Sequence, residues 1–251
     1  MGRYRATISY DGTDFQGFQR QRSGVPTVQS ALEVALASIV GEPVGVLAAG
    51  RTDTGVHATG QVIAFDLNWR HEERALMAAL NANLPESVAV VALQLAPPDF
   101  HPRFDAVSRQ YQYTLVSARH RLPLEQRTAW VLTNARLSIS AMEASAERLL
   151  GRQDFAALGT PPQGESTVRT IWRAEFDAQD RDDGLWLTFT MEADAFLYRM
   201  VRRTVGMLVD VGRGQLSGKT FAALLASTQL AQGVTIAPPQ GLVLTRVTYP
   251  E

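Results

Sequence analysis

Two stretches of strict alternation constrain the fold of this chain more than any other feature. Residues 3–10, RYRATISY, and residues 110–116, QYQYTLV, both alternate apolar or aromatic side chains with polar ones. A period of two is typical of a β-strand that has one buried face and one polar face. Each stretch therefore predicts a strand, and each predicted strand opens one half of the chain.

The same order of elements follows each of these strands. Thr27 and Gly41 mark the start and end of a helix in the first half, and Ser140 with Glu143 predicts a capping box in the second. Periodicity predicts strands near 44–49, 61–67, 88–95, 168–178, 184–192 and 241–247, and helices near 72–83, 195–211 and 218–226. Both halves read β-α-β-β-α-β, the order of a split βαβ unit.

We therefore predict an α+β protein made of two similar split-βαβ halves. Their antiparallel or mixed sheets would face a central catalytic cleft, lined by loops at the strand ends. The predicted domains are residues 1–97, which carry a loop with a candidate catalytic aspartate, and residues 98–251.

Composition excludes several classes of site. The chain has 251 residues and no cysteine, so it has no disulfide and no thiolate metal site, which fits a cytoplasmic protein. Its four histidines lack the spacing of metal ligands, and we expect no metal. No apolar run approaches the ~20 residues that cross a bilayer, and we expect neither a signal peptide nor a membrane partner.

The charged residues suggest an RNA partner in spite of a net charge of −1. Lys219 is the only lysine among 24 basic residues. Arginine binds phosphate with two hydrogen bonds and stacks on bases, although a compositional bias explains the same excess. Arginines cluster within residues 3–22 and 199–203, where they are candidate phosphate contacts.

The turn GRTDTG, residues 50–55, presents a carboxylate between two glycines. Glycines allow a sharp bend and the close approach of a substrate. Asp53 is either a working carboxylate, kept ionised by an arginine, or a surface residue paired with Arg51. The residues alone leave both readings open.

A helix over residues 194–212 bears on that choice. Its arginines, Arg199 and Arg202, share a face with Gly206 and Asp210, while the rest of its surface is largely apolar. An arginine on such a helix is expected to be partly buried, and a buried arginine needs a partner. A solvated face is the alternative.

The chain resembles the tRNA pseudouridine synthase A family over nearly its whole length. The blocks that carry the resemblance are YDGTDFQGFQRQ (10–21), TVQSALEVAL (27–36), GRTDTGVHATGQV (50–62), HPRFDAVSRQYQY (101–113), ADAFLYRMVRRTVG (193–206) and QGLVLTRVTYP (240–250). Phe18 departs from the tryptophan that the family often carries, which affects packing or stacking rather than chemistry.

The resemblance implies the conversion of uridine to pseudouridine at positions 38, 39 and 40 of the tRNA anticodon stem-loop, by a homodimer without a cofactor. By position, Asp53 is the catalytic aspartate and Arg202 pairs with it. Tyr111 stacks on the target uracil, whereas Tyr113 stays a core residue. Arg51 reaches into the RNA and supports the flipped nucleotide.

The chemistry leaves alternatives open. Asp53 attacks C1′ or C6, or removes a sugar proton to form a glycal, and each route requires the ionised carboxylate. A non-catalytic RNA-binding module is the second hypothesis for function. A glycoside hydrolase is the third, but it needs two acidic residues across its substrate, and we find one plausible carboxylate.

Overall fold

The computed structural model describes residues 1–22, 24–161 and 164–250. It divides the chain into two compact units, residues 1–107 with 243–251, and residues 108–242. Both units combine helices with antiparallel or mixed sheets, so the predicted α+β class is confirmed. The division into domains at residues 97 and 98, and the cleft, stay predictions.

Within the described residues, the strands in chain order are β1 Gly2–Tyr10, β2 Leu47–Ala48, β3 His57–Leu67, β4 Val88–Leu95, β5 Ser108–Ala118, β6 Trp130–Thr133, β7 Gly151–Asp154, β8 Val168–Arg181, β9 Gly184–Ala193 and β10 Leu242–Thr248. The α-helices are α1 Val28–Val40, α2 Glu73–Asn83, α3 Ile139–Ala146, α4 Met200–Gly212 and α5 Gly218–Leu225.

The first unit is built on the strand order β4-β1-β3-β10, with β2 paired to β3. Strand β1 is antiparallel to both of its neighbours, whereas β10 runs parallel to β3. The alternation predicted for residues 3–10 is confirmed, because Tyr4, Ala6, Ile8 and Tyr10 are buried and the residues between them are half-buried.

Local capping signals in the first unit also act as predicted. The Thr27 hydroxyl oxygen accepts a hydrogen bond from the Ser30 N–H at 3.2 Å, and Gly41 ends α1 in the left-handed region with φ of +80°. The strand predicted near 44–49 is shorter than expected and covers only Leu47–Ala48.

The second unit is built on the strand order β6-β5-β9-β8-β7, in which only β5 and β6 are parallel. Helices α3, α4 and α5 contact one another. Two features differ from the predicted order. Strands β6 and β7 were not predicted, and the last strand of the chain, β10, joins the first unit through its pairing with β3.

The capping box predicted at Ser140 and Glu143 is wrong. Helix α3 begins at Ile139, two residues earlier than an N-cap at Ser140 requires, and its N-cap residue Ser138 makes no side-chain cap. The Ser138 N–H instead donates to the carbonyl oxygen of Gly212 at 2.8 Å. A bond to the end of α4 therefore accompanies the start of this helix, and it joins residues far apart in the sequence.

Candidate active site

The turn that carries Asp53 joins β2 to β3 in the first unit, as predicted. Gly55 has φ of +76°, a backbone conformation that favours glycine, and the Val56 N–H donates to the carbonyl oxygen of Asp53 at 3.1 Å. Asp53 is half-buried and Arg51 is exposed. The turn therefore places its carboxylate partly within the fold and its arginine in solvent.

A second loop, residues 11–18, packs closely against this turn. A Cβ atom on Gly12 would lie 2.0 Å from the carbonyl oxygen of Val56, and one on Gly17 would lie 3.0 Å from that of Thr52. The Phe18 N–H donates to the same Thr52 oxygen at 3.1 Å. The glycines of YDGTDFQGF are therefore required by the close approach of this loop to the Asp53 turn.

His57, the first residue of β3, ties the same two loops together. Its ring is buried, and its Nδ1 accepts a hydrogen bond from the Gly12 N–H at 3.0 Å. Nδ1 also lies 3.1 Å from a carboxylate oxygen of Asp11. This histidine is part of the support for the Asp53 turn.

Tyr111 and Tyr113 lie on β5 in the second unit. Tyr113 is fully buried, its hydroxyl donates to the carbonyl oxygen of Pro238 at 2.7 Å, and burial raises the pKa of its phenol. Its prediction as a core residue is confirmed. Tyr111 is half-buried, and its ring meets Phe196 edge to face with centroids 5.0 Å apart.

Arg202 lies in the first turn of α4 and is half-buried, as predicted for an arginine on this helix. Its Nε donates to the carbonyl oxygen of Ala237 at 2.8 Å, and its own carbonyl accepts from the Ala237 N–H at 3.0 Å. The segment that contains Ala237 therefore holds both the backbone of Arg202 and the Nε end of its guanidinium.

The helix face shared by Arg202, Gly206 and Asp210 is packed rather than solvated. A Cβ atom on Gly206 would lie 2.0 Å from the carbonyl oxygen of Thr235. The Asp210 carboxylate accepts from the Thr235 hydroxyl at 2.8 Å and from its N–H at 3.2 Å.

The predicted row of arginines on this face is wrong at Arg199. Helix α4 begins at Met200 rather than near 195, and Arg199 is an exposed N-cap residue in the left-handed region with φ of +59°. The segment before it is held in another conformation by a bond from the Tyr198 N–H to the carbonyl oxygen of Thr160 at 2.8 Å. The Arg199 guanidinium lies 4.9 Å from the Tyr198 ring centroid.

Three of the four arginines within residues 3–22 already have partners inside the first unit. Arg3 forms a bidentate salt bridge with the Asp66 carboxylate, in which Nε donates at 2.9 Å and Nη2 donates at 2.6 Å. The Arg5 guanidinium lies 4.1 Å from the ring centroid of Tyr249, and Arg20 pairs with Glu33 at 2.8 Å. Arg3 in particular has a structural role that the sequence pattern did not predict.

Two negative findings apply to the described part of the chain. It holds no group of three His, Cys, Asp or Glu residues arranged for a metal ion. Each of its helices is too short or too polar to cross a bilayer.

Comparison with known proteins decides the family. The family described as tRNA pseudouridine synthase matches residues 6–105 and 145–250. The chain belongs to this family. The tRNA pseudouridine synthase A of Neisseria meningitidis serogroup B is 45% identical over 251 residues, which cover 99% of this chain and 92% of that protein. That of Methylacidiphilum infernorum is 41% identical over 249 residues, 98% of this chain and 95% of that protein.

The family match includes three of the four predicted site residues. Asp53 and Arg51 lie in the first matched range, and Arg202 lies in the second. Tyr111 lies between the ranges, in a part of the chain that the full-length relatives cover. Asp53 and Arg51 share one turn of the first unit, and Tyr111 and Arg202 belong to the second unit. The pairing of Asp53 with Arg202 and the stacking role of Tyr111 stay predictions.

Proposed function

We propose that this chain isomerises uridine to pseudouridine at positions 38, 39 and 40 in the anticodon stem-loop of tRNA. The observation that carries the proposal is the family match, which extends along most of the chain and includes the Asp53 turn. The same match disfavours a non-catalytic RNA-binding module, because the matching family and its relatives are named as synthases.

The reaction breaks the bond between uracil N1 and ribose C1′, turns the base over and joins C5 to C1′. C5 releases its proton and N1 takes one up, so the nucleotide gains and loses no atoms. Because there is no net oxidation, reduction or group transfer, the reaction requires no cofactor.

Asp53 supplies the ionised carboxylate, which attacks C1′ or C6 or removes a sugar proton. Arg202 pairs with this carboxylate and balances its negative charge. A uridine in a stem must leave the stack to be reached, at a cost of about a few kcal/mol. Tyr111 stacks on the extruded uracil, and the exposed side chain of Arg51 supports the flipped nucleotide from within the RNA.

The functional unit is a homodimer in which each tRNA contacts both subunits, and it acts in the cytoplasm. Light scattering on the purified protein without tRNA should give twice the mass of one chain. A mass of one chain would contradict the dimer.

Release of tritium from uridine labelled at C5 tests the activity, because C5 loses its hydrogen only when it joins C1′. An unmodified tRNA transcript with uridine at positions 38–40 should release tritium, and a matched transcript with cytidine at these positions should not. Equal release from both would contradict the positions. Binding of both without release would favour the RNA-binding module.

A further inference from the structure

Three polar side chains without a role in the proposed chemistry are buried beside Asp53. Tyr10 ends β1, Thr52 directly precedes Asp53, and Gln61 lies in β3; their exposed fractions are 3%, 7% and 0%. The Tyr10 hydroxyl lies 2.8 Å from the Thr52 hydroxyl, and Gln61 is near enough to the Tyr10 phenol to influence its pKa. Because buried polar groups cost free energy unless they are hydrogen-bonded, this cluster needs an explanation.

The cluster reaches the Asp53 turn at two places. The Gln61 amide donates through Nε2 to the carbonyl oxygen of Gly50 at 2.8 Å, at the start of the turn. Thr52 is fixed by its hydroxyl and also by its carbonyl oxygen, which accepts from the Phe18 N–H. A backbone movement at Thr52 would therefore break these bonds and would move the adjoining Cα of Asp53.

The Tyr10 phenol acts in this cluster as a neutral group. Burial raises its pKa to about 12, although the hydrogen bonds from Thr52 and Gln61 oppose the shift. The hydroxyl thus keeps its proton throughout the neutral range. It therefore meets the Thr52 hydroxyl as a neutral hydrogen-bonding group.

We propose that Tyr10, Thr52 and Gln61 are positioning residues that fix the Asp53 carboxylate for reaction. This rests on the proposed function, since it takes Asp53 as the reacting group. A misplacement of about 1 Å at a reacting group costs on the order of 100-fold in rate. The loss of the Tyr10–Thr52 hydrogen bond should therefore lower kcat and leave tRNA binding intact.

Tyr10→Phe and Thr52→Val each remove one hydroxyl and nearly keep the shape. Each should lower kcat for tritium release by roughly 10- to 100-fold. The Kd for an unmodified tRNA transcript should stay within about twofold, and the pH profile of kcat should keep its shape. Thr52→Ser keeps the hydroxyl and should recover kcat to within about threefold of the unmodified protein.

The double variant Tyr10→Phe/Thr52→Val distinguishes the loss of one shared hydrogen bond from a general loss of packing. Both substitutions remove the same hydrogen bond, so the double variant should be about as slow as the slower single variant. Losses that multiply would overturn the proposal. Tyr4→Phe is the matched control, because Tyr4 is 5% exposed on the same face of β1 and stacks on Phe65; its kcat should be unchanged.

Thermal melting of each variant identifies any that fails to fold. If Tyr10→Phe does not fold, the comparison of Thr52→Val with Thr52→Ser tests the proposal instead.

Asp53→Asn separates the two proposals. Turnover by Asp53→Asn would overturn the proposed role of Asp53. If Asp53→Asn is inactive but Tyr10→Phe and Thr52→Val keep an unchanged kcat, only the positioning role is overturned. A failure of Thr52→Ser to recover kcat would also overturn the positioning role alone.

Discussion

At the scale of single residues, two tyrosines on β5 have different environments. Tyr113 is fully buried and donates to Pro238, 125 positions away along the chain, whereas Tyr111 is half-buried against Phe196. Alternation along β5 predicted that Tyr113 belongs to the core. It could not supply the hydrogen-bond partner, because that partner comes from a distant segment.

Tyr113→Phe should therefore destabilise the protein more than Tyr111→Phe. Loss of the Tyr113 hydroxyl leaves the half-buried carbonyl of Pro238 without this donor, which costs about 1–3 kcal/mol in the free energy of unfolding. Tyr111→Phe should cost less, because Tyr111 is only half-buried and losing a hydroxyl that water can replace costs less. Urea unfolding of both variants measures the difference, and equal losses would contradict this assignment.

At the scale of elements, α4 shows which sequence signals are reliable. The burial of its apolar residues and the partial burial of Arg202 followed from helical periodicity. Periodicity did not predict the first residue of α4, because the bond from the Tyr198 N–H to the carbonyl oxygen of Thr160 holds the residues before Met200 outside the helix. A periodic pattern predicts which residues share a face, whereas contacts between distant segments decide where the helix begins.

Gly206→Ala should disrupt the contact between α4 and the Thr235 segment. The added Cβ would lie 2.0 Å from a backbone oxygen, and such overpacking costs about 1–3 kcal/mol in the free energy of unfolding. Turnover should fall as well, because Arg202 lies on the same face. Gly218→Ala is the control: its Cβ would lie 3.7 Å from the Ser145 hydroxyl, and alanine should be neutral or stabilising by up to about 1 kcal/mol. Equal stability of the two variants, in urea, would contradict the close contact.

The Arg3–Asp66 pair, opposite each other on β1 and β3, should make stability depend on pH in the acidic range. The hydrogen bond from Arg3 lowers the pKa of Asp66. A lowered pKa stabilises the folded state above the unfolded value of about 3.9, and the contribution is lost as pH falls through the folded pKa.

Asp66→Asn removes this contribution and should cost no more than about 1 kcal/mol at neutral pH, because Asp66 is partly exposed. The difference from the unmodified protein should shrink below about pH 4, measured by urea unfolding at several pH values. A difference that is constant down to pH 2 would mean that the charge of Asp66 does not stabilise the fold.

At the scale of the whole molecule, RNA binding cannot depend on net charge, which is −1. We expect it to depend on local arginines instead, and each phosphate contact makes binding weaker with salt. The Kd for unmodified tRNA should rise at least about tenfold between 50 and 200 mM salt. A Kd that does not change with salt would contradict arginine clusters as the RNA surface.

The sequence predicted the element order of residues 1–97 and the α+β class, because alternation and caps such as Thr27 and Gly41 are local signals. It missed β7, Gly151–Asp154, whose polar residues carry no apolar alternation. It also missed Tyr10, Thr52 and Gln61 as a cluster, because their contacts join three separate segments. One available signal was the presence of polar residues, close to a candidate carboxylate, at positions that the alternation predicts to be buried.

Turnover by Asp53→Asn tests the central claim most directly, because the substitution keeps the shape of the side chain and removes its charge. Tritium release from C5-labelled tRNA should fall by at least about 1,000-fold, since the reaction needs the carboxylate. Binding of the same tRNA should persist, and Asp99→Asn, at an exposed position, should keep full activity. Turnover by Asp53→Asn at a rate near that of Asp99→Asn would contradict the account.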